Sequence, residues 1–446
     1  MPSLTPLHET YCIWDSTPPS QADLLEGLAQ MLTTPLSDAI PDLIQVIQVI
    51  QREILNNWFG MSEYRLKKLQ KIRYIDKFHR FSYDSLLNSG HYLLAPLLRQ
   101  AIEKFPKLHN KSLTASQHRV VGILNGILGD YLSRDQNPIA LPMVLYDHYG
   151  EVQKGDLSGR VVIFVHGLCM NHLYWSNPLH GGIGEKLLAQ RDHNTMLYLN
   201  YNTGRRISAN GHSLANTLQD LLHRNPLITS IDLIGHSMGG LVLRSALFYG
   251  KQSLHEWVHL TENLVCLGSP HHGAILERMG FMLQDQLGYL PFVNIIRHLV
   301  NSRSNGILDL RYGSVRDDDW EHHPARIGAM DDNRKPAPLP AHINAFFLAG
   351  CISDAHKKNR SINLLGDYLV SIDSALGEHP NPRFQLKLPQ SHKAIFYGLN
   401  HFQLQSHSSV AEQVAKWFYP PKDQQASEQI QEYTLQWQDL AGIALT

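Results

Sequence analysis

The stretch around Ser237 constrains this chain more than any other. Ser230-Ile231-Asp232-Leu233-Ile234 reads as a buried strand, and Leu241-Val242-Leu243-Arg244-Ser245-Ala246-Leu247 as a helix. Between them lies Gly235-His236-Ser237-Met238-Gly239, a G-x-S-x-G pentapeptide. The pentapeptide alone is weak, because glycine and serine are common. Its setting between strand and helix is what nucleophilic chemistry requires. A sharp turn there strains the backbone at the serine and lifts its hydroxyl out of the sheet. The flanking Gly235 and Gly239 leave room for the turn, and Gly240 lets the helix pack close to the sheet. The helix N-terminus then directs partial positive charge toward a developing oxyanion.

A serine hydroxyl is a poor nucleophile until a base takes its proton. With such an elbow the partners are expected downstream in the order acid, then histidine. Asn400-His401-Phe402 follows the apolar run Ala394-Ile395-Phe396-Tyr397 and precedes a helical stretch from Val410, which is where the base belongs. His392 precedes that run and His407 lies near the helix start, so both fit less well. For the acid, position leaves three candidates open: Asp367, Asp373 and Asp354. An oxyanion hole needs two backbone N–H groups. The residue after the nucleophile, Met238, is expected to supply one. Leu168, in the loop after the strand Val161-Val162-Ile163-Phe164-Val165, is expected to supply the other, with Gly167 permitting close approach. His166 is read as support for this loop.

The rest of the chain sorts into three parts. Residues 1–138 read as a helical N-terminal extension, with apolar faces at Leu43–Trp58, Leu86–Ile102 and Ser116–Leu132. Residues 139–420 alternate strands and helices. Their fully apolar runs predict a mostly parallel sheet with helices on both faces. Within that part, residues 275–335 form an insertion. The apolar face of residues 275–305 (Met279, Phe281, Leu287, Phe292 and Ile296 among others) suits a lid or a fixed cap. Residues 421–446 read as a polar tail with a weak helical pattern in Tyr433, Leu435, Trp437 and Leu440.

The ordered motifs resemble a known family. Phe164-Val165-His166-Gly167-Leu168, the Ser237 pentapeptide, Gly268-Ser269-Pro270-His271-His272-Gly273, Gly366-Asp367-Tyr368-Leu369-Val370 and Asn400-His401-Phe402 occur in the order found in the bacterial lipase and esterase branch of the α/β-hydrolases. That branch includes proteins with a GPI inositol-deacylase-like domain. The resemblance covers roughly Val144 to Phe418. It implies an α/β-hydrolase fold and carboxylic ester hydrolysis through an acyl-enzyme, without a cofactor. It favours Asp367 as the acid, since that residue commonly sits in a Gly-Asp-Gly-Leu-Val-like stretch. This chain departs from that stretch by carrying Tyr368 where glycine is common.

Two other classes were weighed. His255-Glu256-Trp257-Val258-His259 matches the H-E-x-x-H zinc-hydrolase motif. No third ligand motif follows it, and with 26 histidines in the chain chance matches are frequent. A catalytically inactive binding protein on the same fold is the other, although every catalytic position holds a competent residue type. Lys plus Arg number 39 against 40 for Asp plus Glu, which offers no electrostatic argument for nucleic acid or an anionic membrane. The expected partner is a small ester or lipid, with transient contact at a lipid interface. Cys169, Cys266 and Cys351 sit in or beside apolar runs, as small buried hydrophobes do, and Cys12 stands apart from them. The first basic residue is Arg52, so no basic leader precedes an apolar run. The expectation is a soluble, cytoplasmic protein that uses neither a metal nor a cofactor.

Overall fold

The computed structural model describes residues 16–33, 95–96, 98–175, 182–189, 194–274, 304–320, 334–353, 366–420 and 431–434. Before the sheet, the described residues include α1 (Gln21–Thr33) and α2 (Ala115–Arg134), and residues 98–104 are also helical. Then follow β1 (Val144–Tyr146), β2 (Ser158–Val165), α3 (Ile183–Leu188), β3 (Asn194–Asn200), α4 (Ile207–Arg224), β4 (Leu227–His236), α5 (Met238–Gln252) and β5 (Thr261–Leu267). The chain continues through α6 (Asn305–Tyr312), β6 (Asn344–Cys351), β7 (Lys393–Tyr397), α7 (Ser408–Phe418) and β8 (Gln431–Thr434). The eight strands lie in the order β1-β3-β2-β4-β5-β6-β7-β8, and only the β1–β3 pair is antiparallel.

The strands are apolar on both faces because both faces are covered. On β2, Val161, Ile163 and Val165 join one hydrophobic cluster while Val162 and Phe164 join the other. The same alternation places Leu264 and Cys266 of β5 on one side and Val265 and Leu267 on the other. Helices α4 and α5 cover the first face, α3 and α7 the second. The expected parallel, doubly covered sheet is therefore what forms. Cys169, Cys266 and Cys351 are buried free thiols, as read from their surroundings. Cys12 lies outside the described residues.

The strand carrying the Ser237 elbow, β4, is interior to the sheet, between β2 and β5. One buried carboxylate sits within it. Asp232 accepts from Arg160 Nε at 2.5 Å and from Asn263 Nδ2 at 2.7 Å. Burial pushes this carboxyl above its ordinary range against the pull of Arg160.

Helix α2 starts at a capping box. The Thr114 hydroxyl accepts from the Gln117 N–H, and the Gln117 side chain accepts from the Thr114 N–H. This is the third helical run expected in the N-terminal part. The first, Leu43–Trp58, lies outside the described residues, and the second is described only toward its end. α2 shares one hydrophobic cluster with the sheet. It lies against the loop after β2, where a Cβ on Gly126 would be 3.0 Å from both Cys169 N and Cys169 Cα. Asn202 Nδ2 donates to the Gly129 carbonyl at 2.8 Å, and Ser304 Oγ to the Gly126 carbonyl at 2.7 Å. Helix α2 is thus packed onto the loops that surround the site.

One expectation meets a different outcome. The tail was read as weakly helical, but Gln431–Thr434 is strand β8, paired in parallel with β7. An edge strand is held by backbone hydrogen bonds to its neighbour, so it needs no apolar periodicity of its own. The apolar face expected of residues 275–305 falls almost wholly outside the described residues. No helix among the described residues is long and apolar enough to cross a membrane.

Candidate active site

The turn after β4 places Ser237 where a sharp elbow requires. Its φ is +54° and ψ is −123°, a conformation that a non-glycine residue adopts only under constraint. The Ser237 N–H donates to the Leu267 carbonyl at 2.9 Å, which ties the elbow to the end of β5. α5 begins at the next residue, Met238. An N–H in the first turn of a helix has no intrahelical acceptor, so that of Met238 is available to an oxyanion.

The loop after β2 comes up against this elbow. A Cβ at Gly167 would lie 3.0 Å from Ser237 Cβ and 3.2 Å from His236 Nδ1, so any side chain there would press on the elbow. Leu168, the residue expected to give the second N–H, lines the same cleft as Ser237. His166 is wholly buried, with Nδ1 2.9 Å from the Gly167 carbonyl, and its own carbonyl accepts from Tyr201 Oη at 2.8 Å. Burial pushes its pKa down to about 4, which keeps the ring neutral near pH 7. It braces the loop, as expected.

His401 and Asp367 meet at the carboxyl edge of the sheet. His401 Nδ1 lies 2.7 Å from Asp367 Oδ2, and both side chains are buried. A carboxylate accepts, so Nδ1 carries the hydrogen and Nε2 is left as the basic nitrogen. The other oxygen, Asp367 Oδ1, accepts the N–H groups of Leu369 and Val370 at 3.0 and 2.9 Å. The His401 N–H also donates to the Asp367 carbonyl at 3.2 Å. Tyr368, the departure from the glycine pattern, adopts φ +85°. The turn keeps the shape that glycine favours, with a tyrosine forced into it.

The rivals fall elsewhere. Asp373 lies in the short helix Ile372–Ala375 with its side chain exposed. Asp354 lies outside the described residues. His392 Nδ1 is 3.0 Å from the Ala345 carbonyl, and His407 caps α7. Of the zinc motif, only Glu256–Leu260 is helical. His255 is its N-cap, with Nδ1 3.1 Å from the Ala215 carbonyl. Among the described residues no group of three metal-ligating side chains converges.

One participant escaped the sequence reading. His236, the residue before the nucleophile, has Nε2 2.9 Å from the His401 carbonyl. Burial holds it well below its ordinary pKa, so it stays neutral and donates from Nε2. The elbow thereby fixes the loop that carries His401. The only signal was a histidine at a position of the pentapeptide that tolerates many residues.

Ser237, His401 and Leu168 line one cleft of about 380 Å³. Its remaining walls are largely apolar: Met170, Ala274, Leu310, Leu369, Val370 and Phe402. Ala274 immediately precedes the insertion and Leu310 lies within it, in α6, so both flank the cleft.

A mostly parallel sheet with helices on both faces and a strained serine elbow after an interior strand define an α/β hydrolase. The model of one family, the PGAP1-like alpha/beta domain, matches residues 156–379, half of the chain. The chain belongs to that family. The matched span includes Ser237 and Asp367 and stops before His401. Among solved structures, the mature form of the lipase BlEst2 from Bacillus licheniformis is 19% identical, covering 62% of this chain and 95% of its own, with a TM-score of 0.36. Carboxylesterase CesB from Bacillus subtilis is 10% identical over 67% of this chain and 99% of its own, with a TM-score of 0.34. Naproxen esterase from Bacillus subtilis is 13% identical over 69% and 99%, also with a TM-score of 0.34. No curated protein matches the chain.

Proposed function

We propose that this chain hydrolyses carboxylic esters, with fatty acyl esters preferred, through an acyl-enzyme on Ser237. The observation that carries the reading is the pairing of a strained serine elbow with a buried His401–Asp367 contact of 2.7 Å at the same cleft. His401 Nε2 takes the Ser237 proton as Oγ attacks the ester carbonyl. The tetrahedral oxyanion is met by the N–H groups of Leu168 and Met238. His401 then returns the proton to the leaving alcohol, and water repeats the sequence to release the acid. Asp367 holds the imidazole tautomer throughout and stabilises the imidazolium that forms.

The acyl preference follows from the cleft walls. Each methylene moved from water into such a wall is worth ~0.8 kcal/mol, or about fourfold when burial is complete. Partial burial therefore predicts a several-fold rise in kcat/KM from acetyl to medium-chain p-nitrophenyl esters. The test is labelling by a fluorophosphonate probe together with ester turnover. The wild-type chain should label, and Ser237→Ala should neither label nor retain more than ~10⁻³ of the turnover. Undiminished turnover in Ser237→Ala would overturn the reading. A fall in kcat/KM with each added methylene would remove the fatty acyl preference and leave the serine chemistry standing.

A further inference from the structure

The turn His271–Ala274 separates the Ser237 cleft from a second one of about 440 Å³. The second cleft lies beside α5, between residues 334–338 and residues 383–386. Among the described residues, four cations line it, Arg244, Arg334, Lys335 and Arg383, with one carboxylate, Asp319; Arg334 also donates to the His271 and Gly313 carbonyls. Asp319 is occupied with backbone. Its oxygens accept the N–H groups of Val315, Arg316 and Lys335 at 2.9, 3.0 and 2.8 Å.

Arg244 is the centre of the argument. It is 6% exposed, and among the described residues no carboxylate pairs with it. Nη1 donates to His271 Nδ1 at 3.3 Å and Nη2 to the Ala337 carbonyl at 3.3 Å. Nε is buried with no protein acceptor among the described residues. A guanidinium only donates, so His271 Nδ1 accepts and the imidazole hydrogen sits on Nε2. That nitrogen too is buried without a protein acceptor among the described residues. Burial pulls the Arg244 pKa down to about 10, still charged at neutral pH. Keeping a desolvated guanidinium without a counter-ion is unfavourable, and a bound oxyanion relieves it. Two buried donors lacking acceptors, with further cations around them, complement a compact, multiply charged anion.

We infer that this second cleft binds a phosphate group, with Arg244 and His271 as buried donors and Arg334, Lys335 and Arg383 around them. The phosphate has two chemical sources. One is a phosphodiester carried by an ester substrate whose acyl group enters the neighbouring cleft, which rests on the ester-hydrolase reading. The other is free orthophosphate, which does not.

The test is thermal unfolding of the full chain in 0.1–30 mM sodium phosphate, with ionic strength held constant by sodium chloride. The wild-type midpoint should rise saturably by about 2–4 °C. Arg334→Gln should weaken the apparent phosphate affinity at least about tenfold, as expected for a lost charge-assisted contact. Arg244→Met should abolish the rise. If Arg244→Met fails to fold, Arg334→Gln carries the test. No saturable rise in the wild type, or an undiminished rise in Arg334→Gln, overturns the site. Competition by a soluble glycerophosphodiester would support the site with the substrate as source, and a rise with orthophosphate alone would support it with free phosphate as source. Fluorophosphonate labelling of the same samples separates the two readings. A phosphate-dependent rise in protein that does not label would keep this site and remove the ester-hydrolase reading.

Discussion

Two of the buried aspartates in this fold are held in opposite ways. Asp232, inside β4, faces Arg160, a permanent cation, and the amide of Asn263. Asp367, at the carboxyl edge, faces two backbone N–H groups and His401, the ring that takes and returns a proton in the proposed reaction. The first carboxylate is matched to a partner whose charge does not change, so its energy is settled once folding is complete. The second is matched to a partner whose charge rises during the proposed reaction. Burial alone therefore does not separate the two carboxylates; the kind of partner each one faces does.

The same isosteric change in both places is the sharpest way to break this comparison. Asp367→Asn should leave the fold intact and cost on the order of 10⁴-fold in kcat, because an amide allows the wrong His401 tautomer. Circular dichroism and ester turnover measured on one preparation would check it. A loss below tenfold would place the orienting acid elsewhere, with Asp373 the first alternative to try. Asp232→Asn should do the reverse. Removing one member of a buried ion pair costs about 3–5 kcal/mol. Arg160 also lies 3.2 Å from Glu262, so we expect a value near the lower end, about 3 kcal/mol by urea unfolding. The folded fraction should keep kcat within about threefold of wild type. A catalytic loss without destabilisation would erase the distinction between the two carboxylates.

The smallest expected effect concerns the turn around Asp367. Tyr368 stands at φ +85°, where an L side chain is strained by about 1–3 kcal/mol. Glycine removes that strain but raises the entropy of the unfolded chain, so Tyr368→Gly should stabilise by about 1 kcal/mol or less. Its measurable sign is a small rise in the unfolding midpoint with the turnover of Ser237 unchanged. A destabilised Tyr368→Gly would mean that the ring, which is 46% exposed, makes contacts worth more than the strain.

Much of this arrangement was legible from residue order. The runs of β2 and β5 are apolar at consecutive positions, as a doubly covered sheet demands. The elbow could be read because a strand, five residues and a helix must sit side by side. What stayed hidden had no periodic signature. Gln431–Thr434 becomes β8 through backbone pairing with β7, and its polar side chains carry no record of that. The role of α2 was hidden because its glycines read as ordinary helix positions until Cys169 and Ser304 came up against them. The Asp367 turn was legible despite Tyr368, because its hydrogen bonds come from backbone N–H groups that any residue supplies. His236 was the instructive omission. A buried neutral imidazole looks inert in a motif, and its work is visible only once its partner is known to be a carbonyl 165 residues away.

That last hydrogen bond has a consequence for how the protein comes into being. His236 leaves the ribosome with the nucleophile elbow, and the carbonyl it grips is made 165 residues later. At roughly 5–20 residues per second, that interval is about 8–33 s. For its duration the nascent chain holds a serine without a base, while the donor at His236 Nε2 waits for its acceptor. Hydrolytic competence on this reading is a property of the finished chain, switched on late in translation by the arrival of a single loop.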